Sequence, residues 1–416
     1  MTRARRHLPL AVLLLACVAL CLPLVLLPGS TPYTFDETNF YLPAIRQIRA
    51  EWPRLDISAN SLSATAPGYQ YLLATLSFLT GPSLLALRFL NLALSFVLPL
   101  VLWFAWPAET CGWLRACALV PLVGGCFFIR AASNLMTDNV ALLATAGTLA
   151  LVFGPGLPRG LAVAGTATAF AVIIRQNTIW LEAPLAVRWL VNGRPASSWA
   201  LLPAPAVLSW LILSWGGLVP PAWQTHSGLG YAAAPYQLAV LGVLGIFFYA
   251  SISPDWRADL GNRWTWAGAA TGLLLALVCP TAPDYDAGRW GGYFWTAAEH
   301  LPVFGRRSVL FFALAPCGGG LLATLTRRLW STAGTHTTLL WLSAFISFFA
   351  SGLLNRQVHH RYYEPVLLVL LVFWLLLLTS AKPSAPAVRF GPLLALGTGQ
   401  VMITLLTAYG RTFGFF

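Results

Sequence analysis

Charge is what this sequence has least of. Its 416 residues include 25 basic and 13 acidic side chains, 9% in all, against roughly 25% in an ordinary soluble domain. With 58% hydrophobic residues and a mean hydropathy of +0.71, a compact soluble fold of this size has too little interior for its apolar surface. The same numbers exclude a disordered chain. Lysine is nearly absent, Lys382 being the one instance, so the net charge of +12 is an arginine charge. These arginines are scattered between apolar blocks rather than clustered, which argues against nucleic acid as a partner and for loop charges that orient a membrane protein. The cysteines (Cys17, Cys21, Cys111, Cys117, Cys126, Cys279 and Cys317) fall in apolar blocks or a short basic loop, so no structural disulfide is expected. There is no Asn-x-Ser/Thr glycosylation site, no phosphate-binding P-loop, no dinucleotide glycine motif and no zinc-protease helix.

What is present is a succession of long apolar blocks. An outer-membrane barrel would instead show short strands of alternating polarity. The chain therefore reads as an all-α, polytopic integral membrane protein. A first span over 8–28 follows the basic start Arg3, Arg5, Arg6, in the manner of an uncleaved signal anchor. Further blocks lie near 84–106, 115–132, 138–154, 161–174, 178–191, 200–215, 235–250, 265–281, 308–325, 337–352, 363–380 and 392–410, giving about thirteen transmembrane helices. Block 67–80 is ambiguous, and a full crossing there would reverse the side of every later loop. Charge favours leaving it at the surface. The inside loops then hold Arg115, Arg159, Arg188, Arg194, Arg257, Arg263, Arg327, Arg328, Lys382 and Arg389 with few acids: Glu109, Asp255 and Asp259. The outside collects Asp36, Glu37, Glu51, Asp56, Asp138, Asp284, Asp286 and Glu299, with Glu364 at its edge. No separate soluble domain is visible. Residues 1–416 read as one transmembrane domain whose first extracytoplasmic loop, 29–83, carries interfacial helices.

Four outside constellations are candidates for chemistry. Asp36-Glu37 follows the first span and precedes a stretch with Phe40, Leu42, Ile45 and Ile48 on one face and Arg46 and Arg49 between, the pattern of an amphipathic surface helix. A carboxylate at that boundary suits a base for an incoming hydroxyl; equally, either acid suits a helix N-cap. Asp138, in Met136-Thr137-Asp138-Asn139, reads as a second acid, an acceptor ligand, or the cap of the next span. Arg175-Gln176-Asn177, followed by Thr178-Ile179-Trp180, places three polar groups at the outer edge of the bilayer, where each needs a partner. They suit a polar cavity with Arg175 on a phosphate, or a solvated turn; Glu182 lies in the same block. Asn355-Arg356-Gln357-Val358-His359-His360-Arg361-Tyr362 offers two guanidinium forks and two imidazoles to an anion. Its other readings are an Arg/Tyr interfacial anchor and a metal site on His359 and His360, which lacks a matching acid. Trp223, His226, Asp284, Asp286, Arg289 and Trp290 complete the outside set, as sugar-cleft aromatics or as an interfacial belt.

Taken in chain order these segments resemble the C-type glycosyltransferases, membrane enzymes that take sugar from a polyprenyl phosphate. They are closest to the dolichyl-phosphate-glucose alpha-1,2-glucosyltransferase family of N-glycan precursor assembly. The resemblance runs through Asp36-Glu37, the surface segment Ile45-Arg46-Gln47-Ile48-Arg49, Ala64 to Tyr69, Leu87-Arg88-Phe89-Leu90-Asn91, Met136-Thr137-Asp138, Arg175-Gln176-Asn177-Thr178-Ile179-Trp180, then Trp215-Gly216-Gly217 with His226 and Gln237, and last Asn355-Arg356 with His359, His360 and Tyr362. Two departures stand out: the late Asn-Arg-His-Tyr element is interrupted, and Thr and Asn exchange places after Gln176.

The resemblance implies a C-type glycosyltransferase fold and an inverting transfer of a hexose, glucose first, to a lipid-linked glycan or other acceptor at the extracytoplasmic face. It implies Asp36 as base with Glu37 beside it. Arg356, His359, His360, Arg361 and Arg175 would hold the donor phosphate, and Asp138, Gln176, Asn177 and His226 the acceptor. The partners it implies are a polyprenyl-phosphate sugar, the acceptor and membrane lipid, with no cofactor, no metal and no nucleic acid. The Ala- and Arg-rich composition suits a bacterial inner membrane with a periplasm-facing site, or the endoplasmic reticulum membrane for a eukaryotic chain. A polyprenyl-linked sugar transporter or flippase, a related mannosyl- or arabinosyl-type transferase and a catalytically inactive scaffold are the other readings. Polar residues gathered at one face rather than at mid-membrane favour an enzyme over a transporter.

Overall fold

The computed structural model describes residues 3–27, 29, 31–54, 63–154, 158–192, 195–252, 255–381 and 388–410. Asp56, Arg194 and Lys382, which entered the assignment of sides, lie outside the described residues, as do the side chains of Arg3, Arg5, Arg6 and Arg159. Among the described residues the chain is mostly helical, with one antiparallel hairpin, Val303–Phe304 with Arg307–Ser308, and two isolated bridges. Among the described residues seven helices are long and apolar enough to cross a membrane: His7–Leu26, Leu84–Ala105, Ser197–Trp215, Ala233–Ser251, Val309–Leu353, His360–Ser380 and Phe390–Tyr409. The bent pair Gly112–Val123 and Cys126–Ser133 makes an eighth if it forms a single crossing.

The difference from thirteen blocks has local causes. Block 115–132 is broken by Gly124-Gly125, and its halves diverge by 73°. Blocks 138–154 and 161–174 fold as Asp138–Phe153 and Gly160–Ile174, each under the ~20 residues of a perpendicular span. Block 178–191 begins as a 3-10 turn, Gln176–Leu181, and leaves an α-helix of only 11 residues, Glu182–Asn192. Val309–Leu353 joins the two blocks 308–325 and 337–352. A straight helix of 45 residues would reach about 68 Å at 1.5 Å per residue, over twice the hydrocarbon core. Gly334, with φ 81°, breaks it. The ambiguous block 67–80 folds as Gly68–Thr80, 13 residues or about 20 Å, too short to cross.

Contacts group the chain into two compact units, Met1–Gln224 with Gly397–Phe416, and Thr225–Leu396. In the first, the loop after the first apolar helix opens with the short helix Pro32–Asp36. Thr31 caps it: its hydroxyl accepts from Thr34 N while Thr34 Oγ1 accepts from Thr31 N at 2.8 Å. Five residues of π-helix, Glu37–Tyr41, lead into Leu42–Glu51. Here the amphipathic reading holds: Leu42, Ala44, Ile45 and Ile48 are buried and Arg46 is exposed. Their apolar face joins Tyr33, Tyr41, Tyr69, Leu73, Leu135, Met136 and Ile174 in one core cluster.

In the second unit, Ala233–Ser251 and Arg263–Val278 both pack on Val309–Leu353. Glycines permit the approach: a Cβ on Gly318 would stand 1.8 Å from the Leu238 carbonyl oxygen. Small residues at the crossing are the usual device of helices in lipid. Arg327 and Arg328, assigned to the inside with Asp259, both ion-pair with it, and Tyr249 OH donates to the same carboxylate. Asp259 is 3% exposed, one buried carboxylate shared by two arginines.

Candidate functional site

The first unit sorts the acidic pair into two environments. Successive residues on a helix point about 100° apart, and the chain sits so that Glu37 faces the core. Glu37 is fully buried and is gripped by the fork of Arg88. Arg88 Nε donates to its Oε1 at 2.8 Å, Nη2 donates to Oε2, and Leu135 N donates to Oε1 at 2.9 Å. Arg88 Nη1 completes its own set on the Val25 carbonyl at 3.2 Å. A bidentate pair in a dry interior is strong geometrically and costly to break from either side. Asn91, one turn on from Arg88, donates to the carbonyls of Ala131, Ala132 and Asn134 and accepts from Tyr69 OH at 2.9 Å. Leu87 to Asn91 is therefore a structural clasp. Glu37 is the correction that follows: a fully buried carboxylate clamped by Arg88 does not face an incoming hydroxyl, so its place is to hold the loop.

Asp36 closes the short helix and is partly exposed. It does not cap a helix, since the cap is Thr31 and the turn that follows has no side-chain cap bond. The π-helical turn immediately after it inserts a residue into the helical register, a device frequent at functional sites. Phe40 in that turn meets Trp223 edge-to-face at 5.3 Å, putting aromatic surface within a turn of Asp36 in sequence.

Asp138 and Arg175, assigned to acceptor and donor, are instead partners: Arg175 Nη1 donates to Asp138 Oδ1 at 2.7 Å, with both side chains about 15% exposed (16% and 15%). Thr137, not Asp138, is the N-cap residue of Asp138–Phe153. Gln176 is likewise corrected. Its Oε1 accepts from Ala66 N at 2.9 Å and its Nε2 donates to Ala64 O at 2.8 Å and Leu218 O at 3.2 Å. It staples the 64–66 segment, so the conspicuous Gln reports a fold contact rather than an acceptor. Asn177 lies half-buried with its Oδ1 enclosed and unbonded, as is Glu182 Oε1.

The second unit builds a face from the loop 282–307 and the segment 355–361. The two run together through bonds from Val358 N to Gly288 O at 2.8 Å and from His360 N to Gly291 O at 3.3 Å. Gly292 is required there: its φ is 101°, and a Cβ would lie 2.2 Å from the Cβ of His360. His360 is 1% exposed, and both ring nitrogens are engaged, Nδ1 with Tyr236 OH at 2.7 Å and Nε2 with Glu364 Oε2 at 2.6 Å. Tyr293 OH donates to the same carboxylate oxygen at 2.6 Å, and the Tyr236 ring stacks on Trp295 at 4.8 Å. This Tyr–His–Glu–Tyr chain is an interior network, and His360 is withdrawn from the phosphate set. His359 is also largely buried. Its Nδ1 donates to the Trp290 carbonyl at 2.8 Å, and its ring meets Trp290 edge-to-face at 4.4 Å, with Tyr285 also stacked on that indole. The two imidazoles thus turn to different partners. Among the described residues no three His, Cys, Asp or Glu side chains converge as a metal would require.

This face also carries arginines, beside the exposed Asp284, Tyr285 and Asp286. Arg356 is exposed and donates to the Asp286 carbonyl at 3.1 Å. Arg361 lies over the Tyr362 ring at 5.1 Å and donates to its hydroxyl at 3.3 Å. Arg289 is held by Asp284 at 2.9 Å, and burial pulls its pKa down from the usual value. His226 ends the 3-10 turn Pro221–His226, partly buried, and burial lowers its pKa. Sequence reasoning missed Arg88 as the partner of Glu37, and missed Tyr236 and Tyr293 as partners of His360. A signal for the first was present: an arginine inside an apolar span needs a carboxylate, and only 13 acids exist to supply one. Compared with protein-family models, with curated proteins and with solved structures, the chain gives no match.

Proposed function

We propose that this chain is a multi-pass membrane glycosyltransferase of C-type architecture. It would move a hexose, glucose first, from a polyprenyl-phosphate donor to a lipid-linked glycan or other acceptor at the extracytoplasmic face, with inversion. The observation that carries the reading is the division of labour inside Asp36-Glu37. Glu37 is locked on Arg88, and this lock fixes the backbone that presents its partly exposed neighbour Asp36. A partly exposed carboxylate on a fixed backbone suits removal of a proton from an acceptor hydroxyl as that oxygen attacks the anomeric carbon. Within the second unit, Arg356 and Arg361 are the charge-assisted, forked donors that this reading assigns to the donor phosphate. Asp138 and Arg175 act as one pair that orders the outer end of their helices, and Gln176 holds the loop beside them.

The test of the class is a donor panel. Purified full-length protein incubated with polyprenyl-phosphate glucose, mannose and arabinose and a lipid-linked acceptor should transfer one sugar with inverted anomeric configuration. Movement of intact donor across a vesicle bilayer without glycosidic bond formation would replace the enzyme with a flippase.

A further inference from the structure

The first outside loop carries a second basic feature that sugar transfer does not use. An open cleft of about 560 Å³ is lined by Arg46, Arg49, Ala50, Pro82 and Ser83. Arg46, Arg49 and Ala50 stand at i, i+3 and i+4 of Leu42–Glu51 and so share one helix face. The acid of that helix, Glu51, points elsewhere and accepts from Gln47 Nε2 at 3.1 Å. Arg49 is positioned: Nη1 donates to Ser77 O at 2.8 Å and Ser77 Oγ at 3.3 Å, and its guanidinium lies 4.9 Å from the centre of the Phe78 ring. Arg46 is exposed, and neither arginine makes an ion pair among the described residues. Two like charges on one open cleft, with no counter-ion among the described residues, repel each other and suit an anion.

Beside the cleft the surface turns apolar. Trp52, Phe78 and Leu79 are 44%, 51% and 85% exposed, and the Trp52 and Phe78 rings meet at 6.2 Å. Paired guanidiniums next to bare aromatic and aliphatic surface match a phosphate carried on acyl chains: the arginines take the phosphate while Trp and Phe sit at headgroup level. The geometry points to a binding site for an anionic phospholipid, with its phosphate on Arg46 and Arg49 and its chains over Phe78 and Leu79. The site requires no assumption about sugar transfer, and its test stands or falls separately from that of the enzyme.

Full-length protein in a nonionic detergent is titrated with short-chain phosphatidylglycerol, short-chain phosphatidylcholine and inorganic phosphate, with binding read from tryptophan fluorescence and from thermal shift. Phosphatidylglycerol should bind saturably and more tightly than the other two. Arg46→Gln, an exposed change, should weaken it about fivefold, the worth of one basic side chain at an anionic membrane surface. Arg54→Gln, off the cleft, should leave it unchanged. Wild-type affinity in Arg46→Gln would overturn the site. Equal weakening by Arg54→Gln would reduce it to diffuse charge, and inorganic phosphate binding as tightly as phosphatidylglycerol would remove the lipid.

Discussion

Two doublets, Asp36-Glu37 in the first unit and His359-His360 in the second, look alike in sequence and fold differently. In each, one member is buried and fully bonded: Glu37 on Arg88 and Leu135, His360 on Tyr236 and Glu364. Their neighbours diverge. Asp36 stays partly exposed, whereas His359 is 7% exposed, turned onto the Trp290 carbonyl. The acidic doublet therefore keeps one group at the surface, and the histidine doublet is mainly architecture beside Arg356 and Arg361. An adjacent polar pair on a membrane helix is better read as one anchor plus one candidate than as two catalysts.

The comparison breaks first at the buried members. Glu37→Gln leaves the Arg88 charge enclosed without its counter-charge, which costs about 3–5 kcal/mol. The variant should be recovered in low yield with a thermal midpoint well below wild type; an unchanged midpoint would mean that Glu37 is not the anchor. His360→Ala orphans Tyr236 OH and a Glu364 oxygen and should cost about 1–3 kcal/mol, read by the same melt, with donor affinity in the surviving folded fraction close to wild type. A selective loss of donor binding at normal stability would return His360 to the phosphate set. Arg356→Ala removes an exposed cation; it should weaken donor binding roughly tenfold while acceptor affinity and melting hold, and the opposite ranking would count against the assignment. Asp138→Asn opens a partly exposed pair and should cost only about 1 kcal/mol.

The smallest effect concerns His226. Burial lowers its pKa in the folded state, so the unfolded chain binds the proton first. Its contribution to stability is present above the ordinary histidine value near 6.5 and is lost as pH falls through that value toward the folded one. His226→Gln should flatten the stability profile over that window and leave the alkaline side unaltered.

What was legible in the sequence followed from composition. Apolar blocks with arginine between them gave a helical membrane protein, and the 39–52 periodicity gave an amphipathic helix with Leu42, Ile45 and Ile48 inside, while Phe40 falls in the π turn before it and is only partly buried. Boundaries were less legible because they depend on single backbone events: the Gly124-Gly125 bend, the 3-10 start at Gln176 and the left-handed Gly334. Site roles were least legible because partners lie far apart along the chain. Arg88 reaches Glu37 across 51 residues, Arg175 reaches Asp138 across 37 and Tyr236 reaches His360 across 124. No local pattern distinguishes a polar residue awaiting substrate from one awaiting such a partner. The acids and the Gln176 staple were therefore easy to find and hard to assign.

The central claim is that Asp36 removes the acceptor proton. Sugar transfer by purified Asp36→Asn, measured beside its melting curve, tests it most directly. The account expects a wild-type midpoint with turnover down by about 10²–10⁴, and turnover near wild type in a folded Asp36→Asn protein would contradict it.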